Sequence, residues 1–406
     1  VNPSLIGAVK VPDGSVDPFR LCASNVFDAK IHGAKVLVYS EVIEFIKEQD
    51  TIKGVKVLDH HTGIVTDYYA PVTVNAGGIW GHHIAQMAGA NISMFPAKGA
   101  LLIFAHRVNS VVINRCRKPA NADILVPGDT VCVIGTTSTR VPYEECDHLK
   151  VTPDEVDLLL TEGAKLAPCL AETRVLRAYA GVRPLVSADN DPSGRNISRG
   201  IVCLDHETRD GIKGFISITG GKLMTYRLMG EMAADAVCKK LGRDAKCVTA
   251  DTPLPGSEPG GIEEISKKIW EVPTMVQKAS VGRFGTQAAN LDFDGDVKGS
   301  LVCECEEVSV SEVDSAIENL EVNNLVDLRR RTRFGMGTCQ GELCACRAAG
   351  RLAKARKCTA KARADLKDFM DERWKGMYPV AWGETLRESA YTQWVYSEVM
   401  GLGEEI

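Results

Sequence analysis

Two cysteine pairs stand in a C-x-C…C-x4-C arrangement, Cys303-Glu304-Cys305 and Cys339-Gln340-Gly341-Glu342-Leu343-Cys344, with 33 residues between them. Four thiolates suit either an iron–sulfur cluster or structural zinc. Zinc ligand pairs usually enclose about two to four residues. A single intervening residue is tight for one tetrahedral ion, so thiolates shared between two irons fit better; plain packing cysteines are the third reading. Cys346 is a spare ligand candidate and Cys358 a bystander. The run Arg329-Arg330-Arg331-Thr332-Arg333 could offset cluster charge or dock a partner. For most of these arginines a solvated helix end is the simpler expectation.

The second constellation is a repeated turn. Gly214-Phe215-Ile216-Ser217-Ile218 reads as a buried strand, followed by Gly220-Gly221 and by residues 223–241, whose apolar positions recur at helical spacing. Pro71-Val72-Thr73-Val74-Asn75-Ala76-Gly77-Gly78-Ile79-Trp80 echoes it. Strand, glycine pair and helix leave free N–H groups and a positive helix end beside an open face, which suits an anion such as the edge of a reduced flavin. An ordinary tight turn is the alternative. Two such turns fit a dinucleotide-binding sheet.

The elements that must position these groups can be read around them. Asp17-Pro18-Phe19-Arg20 starts a helix to about Gly33, and Lys35-Val36-Leu37-Val38-Tyr39 is expected to be a strand. Residues 54–59 and 63–67 form a hairpin, and strands follow at 101–104, 110–113, 124–126, 131–135 and 178–185. Thr152-Pro153-Asp154-Glu155 caps a helix expected to reach Leu170, and residues 186–200 read as loop. His206 falls in a turn. Ser309, with Glu312 in capping-box position, starts a helix between the cysteine pairs, and another covers 325–331.

A chain of 406 residues holds two or three domains. Its net charge of −5 gives no reason to expect nucleic acid. No apolar run reaches the roughly 18 residues of a membrane span, and no signal peptide is expected at Val1-Asn2-Pro3. Clustering of four of the 14 cysteines argues for a reducing cytoplasm and a metal site over a disulfide framework.

Residues 301–350 resemble the bacterioferritin-associated-ferredoxin type of [2Fe–2S] module. Their union with Gly220-Gly221-Lys222-Leu223-Met224-Thr225-Tyr226-Arg227 resembles the family of bacterial anaerobic glycerol-3-phosphate dehydrogenase A subunits. Matching stretches include residues 74–80, Pro96-Ala97-Lys98-Gly99, Gly135-Thr136-Thr137, Gly181-Val182-Arg183-Pro184-Leu185, Ile197-Ser198-Arg199-Gly200 and Glu372-Arg373-Trp374-Lys375-Gly376. The family's G-x-G-x-x-G turn is not in this sequence, which opens without Met; the expectation is a chain lacking roughly the family's first third.

The resemblance implies an α/β (α+β) chain of the D-amino-acid-oxidase type with a small helical [2Fe–2S] module. Its division would be 1–252 flavin domain, 253–300 linker with short helices, 301–355 cluster module and 356–406 helical extension. It implies oxidation of sn-glycerol 3-phosphate to dihydroxyacetone phosphate with FAD as hydride acceptor and a [2Fe–2S] cluster on Cys303, Cys305, Cys339 and Cys344. Electrons would pass to a B subunit, a membrane-bound iron–sulfur C subunit and quinone in anaerobic respiration. The chain would sit peripherally at the cytoplasmic face of the bacterial inner membrane. Arg183 and Lys222 take the catalytic roles, Arg183, Arg199, Lys222 and Tyr226 hold substrate, and Gly77, Gly78, Gly220, Gly221, Lys222, Leu223, Met224 and Thr225 hold cofactor. A surface salt bridge is the ordinary fate of each such arginine. No general base is assigned; His82 and His83 lie near the flavin or on a helix surface. The rivals are a flavin-dependent amino-acid or amine dehydrogenase with the same module, a non-catalytic electron-transfer protein, and a zinc-binding interaction module.

Overall fold

The computed structural model describes residues 2–186, 200–267, 273–295 and 297–403. Helix α1 (Pro18–Ile31) begins where the Asp17 carboxylate accepts the N–H groups of Phe19 and Arg20. A three-stranded antiparallel sheet follows, β1 (Ser40–Glu48), β2 (Thr51–Asp59) and β3 (Val65–Tyr69). The strand expected at 35–39 is absent. Tyr39, at φ 51°, breaks the extended line, and pairing starts at Ser40 opposite Asp59.

Strand β4 (Thr73–Asn75) leads through Gly77 and Gly78 into α2 (Gly81–Met87). Next come β5 (Met94–Phe104), β6 (Ile113–Asn114), β7 (Ile124–Pro127), β8 (Cys132–Gly135), β9 (Thr139–Arg140), α3 (Pro153–Leu166) and β10 (Val175–Val186). They form a sheet of order β10-β5-β8-β7-β6, with β9 also on β5. The reciprocal Thr152–Glu155 capping box starts α3, but the helix stops at Leu166 instead of reaching Leu170. Pro168, which offers no N–H and restricts the residue before it, converts the end into a 3₁₀ turn over Pro168–Ala171. Leu102, Phe104, Leu125, Ile134, Leu159 and Val380 share the core between sheet and helix.

Strand β11 (Ile201–Asp205), helix α4 (His206–Asp210), strand β12 (Phe215–Gly220) and helix α5 (Tyr226–Lys240) complete the first half. The small sheet runs β11-β12-β4, with β12 parallel to β4. Both glycine turns therefore leave one edge of the sheet at the carboxyl ends of neighbouring parallel strands. Helix α5 lies on β11 and β12 and buries no residue; Leu228 and Leu241 remain exposed.

Helices α6 (Gly261–Ile265) and α7 (Thr274–Phe284) precede the second half. There β13 (Leu301–Cys303), β14 (Val308–Ser309), α8 (Val310–Asn319), α9 (Leu325–Thr332), α10 (Ala345–Arg356) and α11 (Ala362–Met377) surround one core, and α12 (Gly383–Trp394) follows. The core contains Val308, Leu325, Leu328, Phe334, Leu352 and Phe369, with the Phe334 and Phe369 rings stacked at 5.2 Å. Phe334 is fully buried, so Phe334→Ala should cost about 3–5 kcal/mol. A denaturant midpoint for this half unchanged from wild type would contradict that packing.

Candidate functional site

A buried polar chain joins the two glycine turns. Asn75 donates from Nδ2 to the Gly81 carbonyl (2.8 Å) and to Ser217 Oγ (3.1 Å), while its Oδ1 accepts the Gly77 N–H (3.1 Å). Ser217 pairs with His206 Nε2 at 2.8 Å, and His206 Nδ1 with Asp210 at 2.5 Å. His206 is completely buried and stacked on Phe215. It is the first residue of α4 and not the turn residue expected from the sequence. The Asn75–Ser217 link fixes one turn relative to the other and was missed from sequence; the one signal was an asparagine ending an apolar strand just before two glycines.

Gly220 and Gly221 adopt φ 74° and 69°. A Cβ on Gly220 would lie 2.4 Å from the Gly200 carbonyl oxygen, so the turn excludes any side chain there. The Lys222 N–H donates to Thr225 Oγ1 (2.9 Å), whose hydroxyl returns a bond to the Lys222 carbonyl (2.8 Å). Lys222, Leu223, Met224 and Tyr226 surround this turn, with Leu223 and Met224 well exposed. Gly77 and Gly78 occupy the corresponding turn after β4.

Arg183 is positioned by three of the stretches singled out in the sequence. It lies on β10 opposite Ala97 of β5, beside Gly99, where a Cβ would come within 2.5 Å of its Nη2. Its guanidinium donates to Thr136 Oγ1 (2.5 Å), the Thr137 carbonyl (3.4 Å) and Ser138 Oγ (3.5 Å). Beneath it, Lys98 donates to Glu155 (2.8 Å) and to the Lys150 carbonyl (2.8 Å). Thr137 Oγ1 donates to the same Glu155 (3.2 Å) and accepts the Ala100 N–H (2.9 Å). The result is a single guanidinium held in place on β10 by the 136–138 segment, a group of the type suited to an oxyanion. Arg183 stands on β10 and Lys222 in the turn just past β12, and these two strands touch. Arg199 lies outside the described residues.

His82 and His83 both contact Tyr143, His82 half-buried and His83 on the exposed face of α2. His82 stacks on its ring at 5.0 Å and pairs through Nδ1 with the Ile92 carbonyl (2.7 Å), while His83 meets the ring edge-on at 5.1 Å. Burial pushes the Tyr143 phenol up to about 12.

The four cysteines form a closed ring of sulfur contacts in the order Cys303, Cys305, Cys339, Cys344, with 3.6 Å between the Cys305 and Cys339 Sγ atoms. The contacts with Cys303 and Cys339 hold Cys305 well below the usual thiol range, whereas the contact with Cys305 raises Cys303 to about 11. Backbone N–H groups of Gly335, Glu306 and Leu343 point at the ring. With the sulfurs closed on one another, no group of three or more His, Cys, Asp or Glu among the described residues stands ready around a single metal ion. Four thiols with N–H donors are nonetheless the donor set of a two-iron cluster, and metal binding deprotonates such ligands. Cys346 stands apart, against Tyr396 Oη and Met400 Sδ, both at 3.7 Å.

The expectation of a solvated arginine helix end is overturned. Arg329 donates to Gln340 Oε1 (3.2 Å), Arg331 to the Leu320 carbonyl (3.2 Å), and Arg333 reaches Asp17 and Glu306 at 2.8 Å. Of these four arginines only Arg330 is exposed. The run fails as a solvated face because α1 and α11 pack on α9 and its arginines find partners there and in the adjoining loops.

Comparison with known proteins fits this geometry. Residues 1–227 match the FAD dependent oxidoreductase family (DAO), and residues 301–352 match the BFD-like [2Fe-2S] binding domain. Together they define a flavin-dependent oxidoreductase joined to an iron–sulfur module, bearing out both the D-amino-acid-oxidase type of fold and the two cofactors. The A subunit of anaerobic glycerol-3-phosphate dehydrogenase from Haemophilus influenzae is 58% identical over 405 residues, spanning 100% of this chain and 72% of the relative. The Escherichia coli K12 protein of the same name is 59% identical over 406 residues, spanning 100% and 75%. The chain belongs to the family of anaerobic glycerol-3-phosphate dehydrogenase A subunits. Its fold matches glycerol-3-phosphate dehydrogenase from Bacillus halodurans complexed with FAD at a TM-score of 0.71 and 22% identity, over 90% of this chain and 74% of that one.

The two linked glycine turns are the expected approach to the flavin, and the glycine pair at 220–221 keeps its left-handed backbone free of side chains. Gly220→Ala should therefore lower bound FAD per chain, and flavin content equal to wild type would show that the turn does not approach the cofactor.

Proposed function

We propose that this chain oxidises sn-glycerol 3-phosphate at its C2 alcohol to dihydroxyacetone phosphate, within an anaerobic respiratory complex. The observation that carries the reading is 58–59% identity to anaerobic glycerol-3-phosphate dehydrogenase A subunits across all of this chain. When bound, FAD accepts the hydride and the [2Fe–2S] cluster passes electrons on singly. The chain's own residues bind and orient. Arg183, fixed by Thr136, Thr137 and Ser138, offers a bidentate fork to the substrate dianion. Lys222, Arg199 and Tyr226 complete the substrate side, with Lys222 also facing the flavin edge. Gly77, Gly78, Gly220, Gly221, Leu223, Met224 and Thr225 line the cofactor side, and Cys303, Cys305, Cys339 and Cys344 ligate the cluster.

We divide the chain into a flavin domain (1–252), a linker (253–300), a cluster module (301–355) and a helical extension (356–406). Partners in this reading are a B subunit and a membrane-bound iron–sulfur C subunit that feeds quinone, at the cytoplasmic face of the inner membrane. Among the described residues no helix is long and apolar enough to cross a membrane, which suits peripheral attachment through those partners.

Arg183→Ala removes charge-assisted bonds of about 1.5–3 kcal/mol and should raise KM for glycerol 3-phosphate roughly 10- to 100-fold. Gly99→Ala, which displaces only the tip of Arg183, should raise it in the same direction with little loss of stability. An unchanged KM in both variants would sink the assignment of Arg183. Independently, Cys303→Ser should abolish cluster absorbance while substrate still bleaches the flavin; loss of bleaching as well would mean the two redox modules are not separable.

A further inference from the structure

Three arginines from three elements meet on the flavin-domain side of the cysteine ring: Arg177 of β10, Arg329 of α9 and Arg373 of α11. Arg177 and Arg373 are 6% and 5% exposed. Arg177 Nη1, Arg329 Nε and Arg373 Nε are buried without a hydrogen-bond partner among the described residues. The carboxylates facing them are distant, Glu372 at 3.4 Å from Arg177 and Glu342 at 3.8 Å from Arg373, against about 2.7–2.9 Å for a charge-assisted bond. Arg177 also feels the like charges of Arg373 and Arg330. Burial lowers all three pKa values, that of Arg329 to about 9, which still leaves it charged at neutral pH.

Buried cations with so little counter-charge are costly unless an anion completes the arrangement. Toward the ring, Arg373 faces Glu342, which lies between Cys339 and Cys344 in the chain. Arg329 is moreover held by Gln340, the neighbour of Cys339. A two-iron cluster on four thiolates is an anion that gains one further negative charge when it takes up an electron.

We propose that Arg177, Arg329 and Arg373 are the built-in counter-ions of the cluster, a buried cationic wall between β10 and the Cys339–Cys344 side that raises the cluster's reduction potential. This rests on the reading that the four cysteines hold a [2Fe–2S] cluster. The step affected is a one-electron reduction with no bond made or broken: reduced flavin supplies the electron in turnover, dithionite in the test. Attraction to the wall grows as the cluster's negative charge grows, so the reduced form gains more than the oxidised form.

The experiment is a dithionite redox titration followed by electron paramagnetic resonance on the anaerobically purified chain. Variants are Arg329→Gln, Arg329→Lys, Arg373→Gln, Arg373→Lys and the exposed control Arg330→Gln. Each Gln variant should shift the equilibrium away from the reduced cluster by about tenfold, about 59 mV for a one-electron couple. The Lys variants should retain most of the wild-type potential, and Arg330→Gln should move little because water screens it. Gln variants that lose iron while their Lys counterparts load normally would support the same counter-ion role. Loaded Gln variants at the wild-type potential would overturn the proposal, as would Lys variants that fall as far as Gln. Iron and acid-labile sulfide near zero in the wild-type chain would remove the cluster reading itself, and this inference with it.

Discussion

The parallel pairing of β12 with β4, pinned by Asn75 and Ser217, is the constraint on which the catalytic half depends. Two short strands far apart in sequence release their chains at the same edge only because Ser217 lies opposite Asn75 in register. Both side chains are almost fully buried, and each satisfies the other within a chain that ends at His206 and Asp210. Breaking it would strand buried polar groups, at about 1–3 kcal/mol apiece. The turns are thus held by a penalty for separation as much as by attraction.

A second set of buried charges ties the halves together. Arg333 joins Asp17, at the start of α1, to Glu306 in the cysteine loop. Arg283 of α7 makes a paired contact with Glu312, which also caps α8. Thr130, between β7 and β8, donates to Glu306 as well. Such networks contribute little net stability but penalise wrong arrangements heavily. They define how the cluster loop faces the flavin sheet.

Local signals were legible in the sequence where the chemistry is local. Asp17, Thr152 and Ser309 cap helices as their spacing requires, both glycine turns follow strands, and the cysteine spacing gathers four sulfurs. The misses all involve distant partners or backbone breaks. Residues 35–39 are apolar enough for a strand but end at a left-handed Tyr39. The helix from Thr152 was read through Pro168. The arginine run resembles a solvated face in isolation, because nothing within α9 reveals that α1 and α11 pack on it. His206 likewise gave no local hint that Ser217 would bury it. Among the expected site residues, Arg183 was the most legible, since its supporting stretches all had unusual glycine or threonine content.

Helices α11 and α12 serve both halves at once. Phe369 completes the core around the cysteine loop, Val380 enters the core of the large sheet, and the Thr385 hydroxyl donates to the Val175 carbonyl. Because these helices follow both sheets and the cysteine loop in sequence, a ribosome must make them before either core can close. Until then the cysteine loop stays open on the side that Phe369 will seal. The loop that carries the thiols therefore acquires its Phe369 cover, against Gly335 and Gly341, only after its own synthesis is complete.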